Sequence, residues 1–405
     1  MKILVVTTRS PYPLTEGRAL RTYNLIREAA RDHEIVLCSY AQSKEEIAGL
    51  EHMRSICKEV HAVDLYIDHK TLNLARDVLR GVFSRAPLHA IKYDTRRMRA
   101  LVRRVGREWK PDLVHLDMLH LGELAREVHP TPVVLVEHNV ESALLLRRVQ
   151  NESAWLRREF LDRQYRKLLR YESKLCREIG HVVAVSDVDA KQIHEFAPAA
   201  RVTTVPNAVD TDFFQPREGA VRPGSLVFVG GLGWTPNHDA MCYFAEEIIG
   251  RVAAIVPTVH LTVIGQIPSP HLVERFAGER RITFTGLLDD IRPTVTGAAA
   301  FIVPLRIGGG TRLKILDALS MGKAIVTTSV GCEGLDVKDG TDVLIADGAE
   351  AFAQAVVRVL TDPQLAARLA SAGRACVESK YRWPAAAQKM EAAYQNAIMH
   401  PIASS

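Results

Sequence analysis

Short apolar segments alternate with amphipathic helical patterns along this chain of 405 residues, and the alternation restricts the fold more than any other feature. Apolar segments of about four to eight residues are typical of strands that are buried on both faces. A repeated order of strand, helix and strand predicts parallel strands that are joined by crossover helices. The sequence therefore predicts an α/β fold with doubly wound parallel sheets.

The alternation occurs twice, with an interruption between the two series. The first series predicts strands over residues 2–7, 34–39, 59–63, 113–116, 133–137 and 182–186, and helices over 21–31, 43–56, 94–109 and 154–179. The second predicts strands over 225–229, 260–264, 282–284, 299–303, 324–328 and 344–345, and helices over 241–251, 311–321, 349–360, 363–377 and 383–398. Residues 205–210 between the series have turn chemistry and no periodicity. We therefore expect a first domain of residues 1–205 and a second of residues 206–383.

The composition, with 47% hydrophobic and 24% charged residues, is ordinary for a globular protein. The apolar run at residues 3–6 is too short for a signal peptide, and no segment approaches the roughly 18 apolar residues of a membrane-spanning helix. The six cysteines are scattered, without metal-ligand spacing to one another or to histidines. These features predict a protein of the reducing cytosol that has neither disulfides nor a bound metal.

Positive charge is concentrated in the first half of the chain. Residues 1–200 contain 33 Lys and Arg against 27 Asp and Glu, whereas residues 201–405 contain 19 against 20. Clusters at 76–110 and 147–177 predict an anionic partner, and no recognition motif points to nucleic acid. Residues 157–170 form a basic amphipathic pattern, which predicts either contact with an anionic membrane surface or a solvated helix face.

Three consecutive glycines open the segment 308–323 (GGGTRLKILDALSMGK): Gly308, Gly309 and Gly310. Their N–H groups can approach an anion closely, and Thr311 is predicted to be the N-cap of the following helix. The start of that helix, with Arg312 and Lys314, would attract the same anion. Asp317 lies on the helical face of Lys314, and its carboxylate suits ribose hydroxyls. The segment predicts a site for a diphosphate with a sugar at each end; a plain glycine-rich turn is the alternative.

This segment resembles the donor-nucleotide signature of GT-B glycosyltransferases, in particular the retaining glycosyltransferase family 4. That family usually has two glutamates separated by seven residues, of which the second binds ribose. Asp317 aligns with the second glutamate, and the first is absent, since Gly309 stands eight residues earlier. The segment is most similar to a branch with the signature Gly-Gly-Gly-Thr-Arg-x-Lys-x-x-Glu, often found in bacterial exopolysaccharide loci.

The resemblance extends over nearly the whole chain and implies a GT-B fold, with two Rossmann-like parallel-sheet domains and an inter-domain cleft. It implies that the last helix, residues 384–405, returns to the N-terminal acceptor domain, and that the C-terminal domain binds the donor. The implied reaction transfers a sugar, most often a hexose, from a nucleoside-diphosphate sugar to an acceptor hydroxyl with retention. The implied acceptor is a glycan or lipid-linked glycan of surface polysaccharide or glycolipid biosynthesis, at the inner face of the plasma membrane. Neither a metal nor another cofactor would be required.

The resemblance also implies roles for two residues of the first domain. Gly17 lies in the loop after the first strand, which in the family faces the donor and the acceptor. His138 follows the strand 133–137 and matches a family histidine that projects toward the donor sugar. An imidazole there can stabilise the charge of an oxocarbenium-like transition state. His115, at the end of the preceding strand, is a weaker candidate from the residues alone, and Glu137 and Glu141 are candidates for shaping the acceptor site.

In the second domain, the loop after the first strand contains Gly230, Gly231 and Asn237 where the family usually has an arginine and a lysine that bind the diphosphate. We expect the glycines and Asn237 to contact the donor, and Arg312 and Lys314 to supply the missing charge from the other loop. These two cations and His138 are therefore the expected catalytic residues.

Two other functions are compatible with the sequence. A nucleotide-sugar 2-epimerase has the same fold, but it needs acid and base carboxylates around C2 of the sugar, which the sequence does not identify. A GT-B protein without catalytic activity, which only binds a nucleotide sugar or a partner enzyme, would also explain the absent glutamate and the absent Arg/Lys pair.

Overall fold

The computed structural model describes residues 1–14, 16–65, 87–266, 276, 278–308 and 310–401 of the chain. Gly309 of the expected diphosphate site and residues 76–86 of the expected basic cluster lie outside the described residues. None of the helices in the described ranges is both long enough and apolar enough to cross a membrane.

The chain divides into two compact units. The first unit comprises residues 1–207 together with 383–405, and the second comprises residues 208–382. The division between the units thus falls after Asn207 and after Arg382, close to the expected boundaries at 205 and 383.

The described residues of the first unit contain seven strands. They are β1 (Lys2–Thr7), β2 (Glu34–Ala41), β3 (Glu59–Asp64), β4 (Leu113–Asp117), β5 (Val133–Val136), β6 (His181–Ala184) and β7 (Arg201–Thr204). All neighbouring strands are parallel, in the order β3-β2-β1-β4-β5-β6-β7. Central β1 is buried on both faces, with Ile3 to Val6 at most 1% exposed, which explains its uninterrupted apolar sequence.

Helices cover both faces of this sheet, as crossover connections between parallel strands require. They are α1 (Gly17–Ala29), α2 (Lys44–Met53), α3 (Leu88–Tyr93), α4 (Arg96–Trp109), α5 (Glu141–Asn151), α6 (Trp155–Ile179), α7 (Asp187–Phe196) and, from the end of the chain, α14 (Trp383–Met399). A 3₁₀ segment, residues Leu119–Glu127, follows β4. Local signals set several ends: the Thr95 side chain accepts from the N–H of Met98 before α4, and Gly180 ends α6 at φ +69°.

In the second unit, the part of the chain that the structure describes repeats this arrangement with six strands. They are β8 (Arg222–Val229), β9 (His260–Ile264), β10 (Ile282–Gly286), β11 (Ala298–Val303), β12 (Ile325–Thr327) and β13 (Leu344–Ile345). The sheet is parallel throughout, in the order β10-β9-β8-β11-β12-β13. Its helices are α8 (Thr235–Tyr243), α9 (Ile249–Ala253), α10 (Arg292–Thr296), α11 (Leu313–Ser320), α12 (Ala349–Thr361) and α13 (Pro363–Lys380), with a π-helical turn at Phe244–Ile248 between α8 and α9.

In both sheets the strand order reverses beside the first strand. In the first unit the reversal lies between β1 and β4, and in the second it lies between β8 and β11. Open parallel sheets bind ligands at the carboxyl ends of the strands beside such a reversal. The loops that follow these four strands are therefore the places where a site is expected, and each unit is described separately below.

Candidate functional site

In the second unit, the chain after β8 passes very close to the chain after β9. The N–H of Gly230 donates to the carbonyl of Ile264 at 2.8 Å. Gly265 has a φ of +149°, and a Cβ at that position would lie 2.4 Å from the carbonyl oxygen of Gly230. Only glycine fits at 265, and this close approach fixes the backbone of Gly230 and Gly231.

Asn237, in the first turn of α8, joins the two loops of the second unit. Its side-chain amide donates to the carbonyl of Gly231 at 2.9 Å, and its Oδ1 accepts from Nζ of Lys314 at 2.8 Å. The Lys314 ammonium also lies 4.2 Å from the centroid of the Phe228 ring, a cation–π contact. A Cβ on Gly230 would lie 2.6 Å from the same Nζ, so glycine leaves the space that the ammonium occupies. The structure thus places Gly230, Gly231, Asn237 and Lys314 together.

The electrostatics of this group favour a bound anion. Desolvation, and next the charge of Arg312, lower the pKa of Lys314 to about 7. Nη1 of Arg312 donates to the carbonyl of Gly310, and a Cβ on Gly308, at φ +143°, would lie 2.5 Å from Nη2 of Arg312. The side chain of Arg312 therefore folds back over the glycine segment. Its positive charge lies near Lys314 and disfavours the charged form of that residue. A diphosphate would stabilise both charges.

Asp317 follows Lys314 by three residues in α11. Desolvation raises the pKa of its carboxyl group to about 7. In the described part of the chain, no hydrogen bond or ion pair involves this carboxylate. It is therefore available to accept hydrogen bonds from a ligand, as the sequence predicts for ribose hydroxyls.

The start of α11 differs from the sequence prediction. The helix begins at Leu313, and the N-cap residue is Arg312, with φ −93° and ψ 96° and no side-chain capping bond. The predicted N-cap at Thr311 is therefore wrong. Gly308, Gly310 and Thr311 precede the helix by two residues or more, which places them in the loop after β11 rather than at the helix end.

In the first unit, His138 forms a buried pair with Asp117, the last residue of β4. Their Nε2 and Oδ1 atoms are 2.7 Å apart. Burial alone would raise the pKa of Asp117, but His138, and also His115, hold it well below the usual range. An ionised carboxylate has no proton to donate, so Nε2 of His138 must be the donor in this bond. Asp117 thus fixes the tautomer and the orientation of the imidazole.

Further contacts hold Asp117 in place. Its Oδ2 accepts from the hydroxyl of Thr22 in α1 at 2.8 Å. The ring of His115, two residues earlier in β4, has Nε2 at 3.7 Å from Oδ1 and Nδ1 at 2.7 Å from the hydroxyl of Tyr394 in α14. Sequence reasoning missed Asp117 and Tyr394. A carboxylate that ends an apolar strand was a visible signal for Asp117, whereas Tyr394 lies almost 280 residues away in the sequence and had none.

Gly17 and Arg21 lie in different surroundings from those expected. Gly17 is the first residue of α1 rather than a loop residue, and Arg21 lies in the second turn of that helix rather than at its start. Arg21 is 1% exposed and donates to the carbonyls of Val205 and Pro206 at 2.7 and 3.0 Å. Burial lowers its pKa to about 10, opposed by the charge of Asp117. The buried Arg21 therefore binds the backbone at Val205 and Pro206, where the segment 1–207 of the first unit ends.

A second acidic group lies at the base of α5 and α6. The carboxylate of Glu172 accepts from the N–H groups of Glu141 and Ser142, at 2.8 and 3.1 Å, and from the Ser142 hydroxyl. Burial raises the pKa of Glu141 and of Glu172 to about 7, and burial followed by the charge of Glu172 raises that of Glu137 well above its usual value. Glu172 thus anchors the start of α5, a role that the sequence did not indicate. No group of His, Cys, Asp and Glu among the described residues could hold a metal ion.

Comparisons with known proteins place both units in one class of enzyme. The profile of Glycosyltransferase Family 4 matches residues 17–213, and the profile of Glycosyl transferases group 1 matches residues 223–362. The chain is 26% identical to the glycogen synthase of Mycobacterium tuberculosis over 400 residues, which is 95% of this chain and 92% of that protein. It is 21% identical to an uncharacterised 44.6 kDa protein from the cps region of Klebsiella pneumoniae, over 88% of this chain and 90% of that protein.

A solved structure with the same fold is that of Anabaena HepE in complex with UDP and glucose. The two superpose with a TM-score of 0.68 at 15% identity, over 98% of this chain and 100% of that chain. The two family profiles and the relative that matches over 95% of this chain indicate the same class of enzyme. The parallel sheet in each unit agrees with the fold of the solved structure. The protein is a glycosyltransferase with the GT-B fold.

Proposed function

We propose that this enzyme transfers a hexose from a nucleoside-diphosphate sugar to an acceptor hydroxyl, with retention at the anomeric carbon. The observation that supports the donor most directly is the Lys314 ammonium, which lies on Asn237 between two glycine loops with Arg312 beside it. The oxygens of a diphosphate would accept hydrogen bonds from both cations. The carboxylate of Asp317, three residues along α11, would accept from the ribose hydroxyls.

In the proposed reaction the bond between the anomeric carbon and the diphosphate oxygen breaks, and its electron pair stays on the diphosphate. The acceptor oxygen bonds to the anomeric carbon on the same face, and the acceptor proton passes to the leaving phosphate oxygen. Negative charge grows on the diphosphate as the bond breaks. Arg312 and Lys314, fixed before the reaction begins, would stabilise that charge more in the transition state than in the ground state.

We further propose that His138 stabilises the positive charge that develops on the transferred sugar. Its Nε2–H is bound to Asp117, so the opposite ring nitrogen, Nδ1, is the one available for a substrate.

For the acceptor, we propose a surface polysaccharide or a glycolipid, modified at the cytoplasmic face of the plasma membrane. The relative from the cps region of Klebsiella pneumoniae and the sugar polymer named for the glycogen synthase support a glycan acceptor. Both family profiles describe glycosyltransferases, so the 2-epimerase alternative is not favoured.

Titration calorimetry with UDP, GDP and ADP tests the donor site. We expect at least one of these nucleotides to bind, and Lys314→Ala and Arg312→Ala each to weaken that binding about tenfold or more, because each removes a charge-assisted contact. Lys338→Ala and Arg358→Ala remove exposed cations of the same unit and serve as matched controls. Unchanged nucleotide affinity in both site variants, or an equal loss in the controls, would contradict the proposed diphosphate site.

A further inference from the structure

The helical hairpin of α5 and α6 ends in a tip that the rest of the first unit does not cover. Every residue from 153 to 160, the turn and the first part of α6, is exposed. Farther along α6, Gln164, Leu168 and Leu175 are buried in the body of the unit. Arg157 lies seven residues before Gln164, on the same face, and is nevertheless exposed. The start of α6 therefore projects beyond the surface on which the rest of the helix packs.

The tip exposes large apolar side chains. Trp155 is 75% exposed, Leu156 is 65% exposed and Phe160 is 37% exposed. Leu156 and Phe160 are four residues apart and share one helical face, next to Trp155 at the end of the helix. Single exposed apolar residues are common, but three within six residues of a projecting tip mark a contact surface.

The same stretch contains more basic than acidic residues. Arg157, Arg158, Arg163 and Arg166 are exposed, and the first turn of α6 contains no acidic residue. Arg163 pairs with Glu159 at 3.2 Å and Arg166 with Asp162 at 2.7 Å, which leaves positive charge in excess. Basic residues at the start of a helix oppose its dipole, so Arg157 and Arg158 do not serve the stability of α6. The tip thus combines apolar side chains with excess positive charge.

We propose that this tip is a membrane-docking surface, with the side chains of Trp155, Leu156 and Phe160 in the headgroup region of an anionic bilayer and the arginines on lipid phosphates. An anionic bilayer surface offers both an apolar and an anionic partner at once, as amphipathic helices at such surfaces require. The hydrogen bonds of Glu172 at the base of the hairpin hold α5 to α6, and so fix the two helices that carry the tip.

This inference extends the proposed location at the plasma membrane and adds that apolar contact, as well as charge, holds the protein there. Attachment by charge alone would be lost at high salt, whereas an apolar contribution persists. Sedimentation with phosphatidylglycerol and phosphatidylcholine vesicles, at 0.05 and about 0.5 M salt, separates the two contributions. We expect binding to phosphatidylglycerol vesicles that weakens with salt but remains measurable.

Two double variants at the tip and two control variants in the second unit test which residues contact the membrane. Trp155→Ser with Leu156→Ser should weaken binding about tenfold or more at both salt concentrations, whereas Arg157→Gln with Arg158→Gln should weaken it mainly at low salt. Ile255→Ser removes an exposed apolar residue of the second unit, and Arg358→Gln with Arg368→Gln removes two exposed charges there; neither should change binding. Circular dichroism and nucleotide affinity should be unchanged in all of them, which separates a failure of docking from a failure of the proposed transfer reaction.

Tryptophan fluorescence gives an independent measurement. In a Trp234→Phe background, which removes the other strongly exposed tryptophan, brominated lipids in anionic vesicles should quench Trp155. Absence of binding to anionic vesicles at low salt, or full binding by the Trp155/Leu156 variant, would overturn the proposal. Light scattering that shows a protein dimer dissociated by the same variant, without vesicle binding, would assign the tip to a second copy of the chain instead.

Discussion

Lys314 and Asp317 lie one turn apart in α11, and desolvation moves the pKa of each toward 7 from opposite directions. Each group is thus held in surroundings that disfavour its charged form while no ligand is present. A nucleoside diphosphate would contribute charge to Lys314 and hydroxyl donors to Asp317. We therefore expect that Lys314 and Asp317, the residues proposed to bind the ligand, lower the free energy of unfolding of the protein without ligand.

Asp317→Asn should therefore stabilise the free protein in a pH-dependent way. The carboxyl pKa is about 7 in the folded state and about 3.8 in the unfolded state, so the folded state holds the proton more tightly and stability falls as pH rises through that window. Asn has no charge to desolvate. The variant should melt several degrees above the wild type at pH 8, with the difference vanishing near pH 4.

The same variant should bind a ribonucleotide less tightly, with a smaller loss for the 2′-deoxy analogue, because a carboxylate accepts more strongly than an amide. A melting difference that does not change between pH 4 and pH 8 would show that the carboxylate is not desolvated. Equal losses for both nucleotides would show that Asp317 does not contact the ribose.

Asp117→Asn tests the pair that orients His138. An amide can present its NH₂ group to Nε2, which would reverse the donor and acceptor roles in the 2.7 Å bond. We expect turnover to fall about 100-fold, the usual scale for loss of a stabilising group, with donor affinity little changed. His138→Ala should give a similar loss of turnover, and the double variant should be no worse than either single variant.

Thermal melts provide the control for this cycle, since Asp117 is buried. Losses that add in the double variant would show that the two residues act independently. A cooperative melt lowered enough to explain the lost activity would make Asp117 a structural residue only.

Among the elements, the strands were predictable because buried parallel strands are uninterrupted apolar runs. The predicted strands at 2–7, 260–264 and 344–345 coincide with β1, β9 and β13. The edge strand β7 was missed, since its four residues are only partly buried and alternate weakly. The helix predicted at 241–251 begins instead at Thr235, because the π-helical turn at Phe244–Ile248 interrupts the 3.6-residue spacing.

The site was predictable in part for the same reason. Glycines and cations in loops after strands marked Gly230, Asn237 and Lys314, which the parallel sheet brings together. The bond between Lys314 and Asn237 joins residues 77 apart in the sequence, and no periodicity indicates such a pairing. The pair of Asp117 and His138 likewise depends on the register of neighbouring strands, which a single sequence does not specify.

Glu172→Ala should destabilise the hairpin of α5 and α6. The substitution leaves the buried N–H groups of Glu141 and Ser142 without their acceptor, and each unsatisfied group costs about 1–3 kcal/mol. We expect the free energy of unfolding of the first unit to fall by about 2–4 kcal/mol in urea titrations.

Glu178→Ala is the matched control, since Glu178 lies on the same helix and is about half exposed. Among the described residues it pairs only with exposed Arg126 and partly exposed Lys174. The Glu178→Ala substitution should lower the free energy of unfolding by about 1 kcal/mol at most. Equal effects of the two substitutions would mean that Glu172 does not anchor α5.

At the scale of the whole molecule, each unit has its own apolar core, and the first is completed by the end of the chain. Helix α14 packs against α1 and the strands β4 to β7. It contributes Tyr394 to the ring of His115 and Glu391 to His33 at 2.6 Å. The carbonyl of His400, which follows the helix, binds His181 at 2.9 Å. The second unit, by contrast, is a continuous segment.

A chain that ends at Arg382 should therefore lose the first unit and keep the second. Removing α14 exposes the apolar face on which it packs and leaves Nδ1 of the buried His115 without the Tyr394 hydroxyl. Near-UV circular dichroism and calorimetry should show one cooperative transition for this truncated chain, assigned by comparison with the isolated segment 208–382.

A chain that ends at residue 401 should retain the complete melting profile, and Tyr394→Phe, which removes one hydrogen bond, should cost only about 1 kcal/mol. A truncated chain with an unchanged melting profile would show that the first unit does not depend on α14.

The return of α14 to the first unit also sets the order in which the protein can fold during translation. Residues 208–382 leave the ribosome as a complete unit, whereas residues 1–207, although synthesised first, must wait for α14. The surroundings of His115 and Asp117 are closed only when Tyr394 has emerged. A nascent chain can therefore assemble the loops around Asn237 and Lys314 before the pair of Asp117 and His138 is in place, and the second unit is finished before the first.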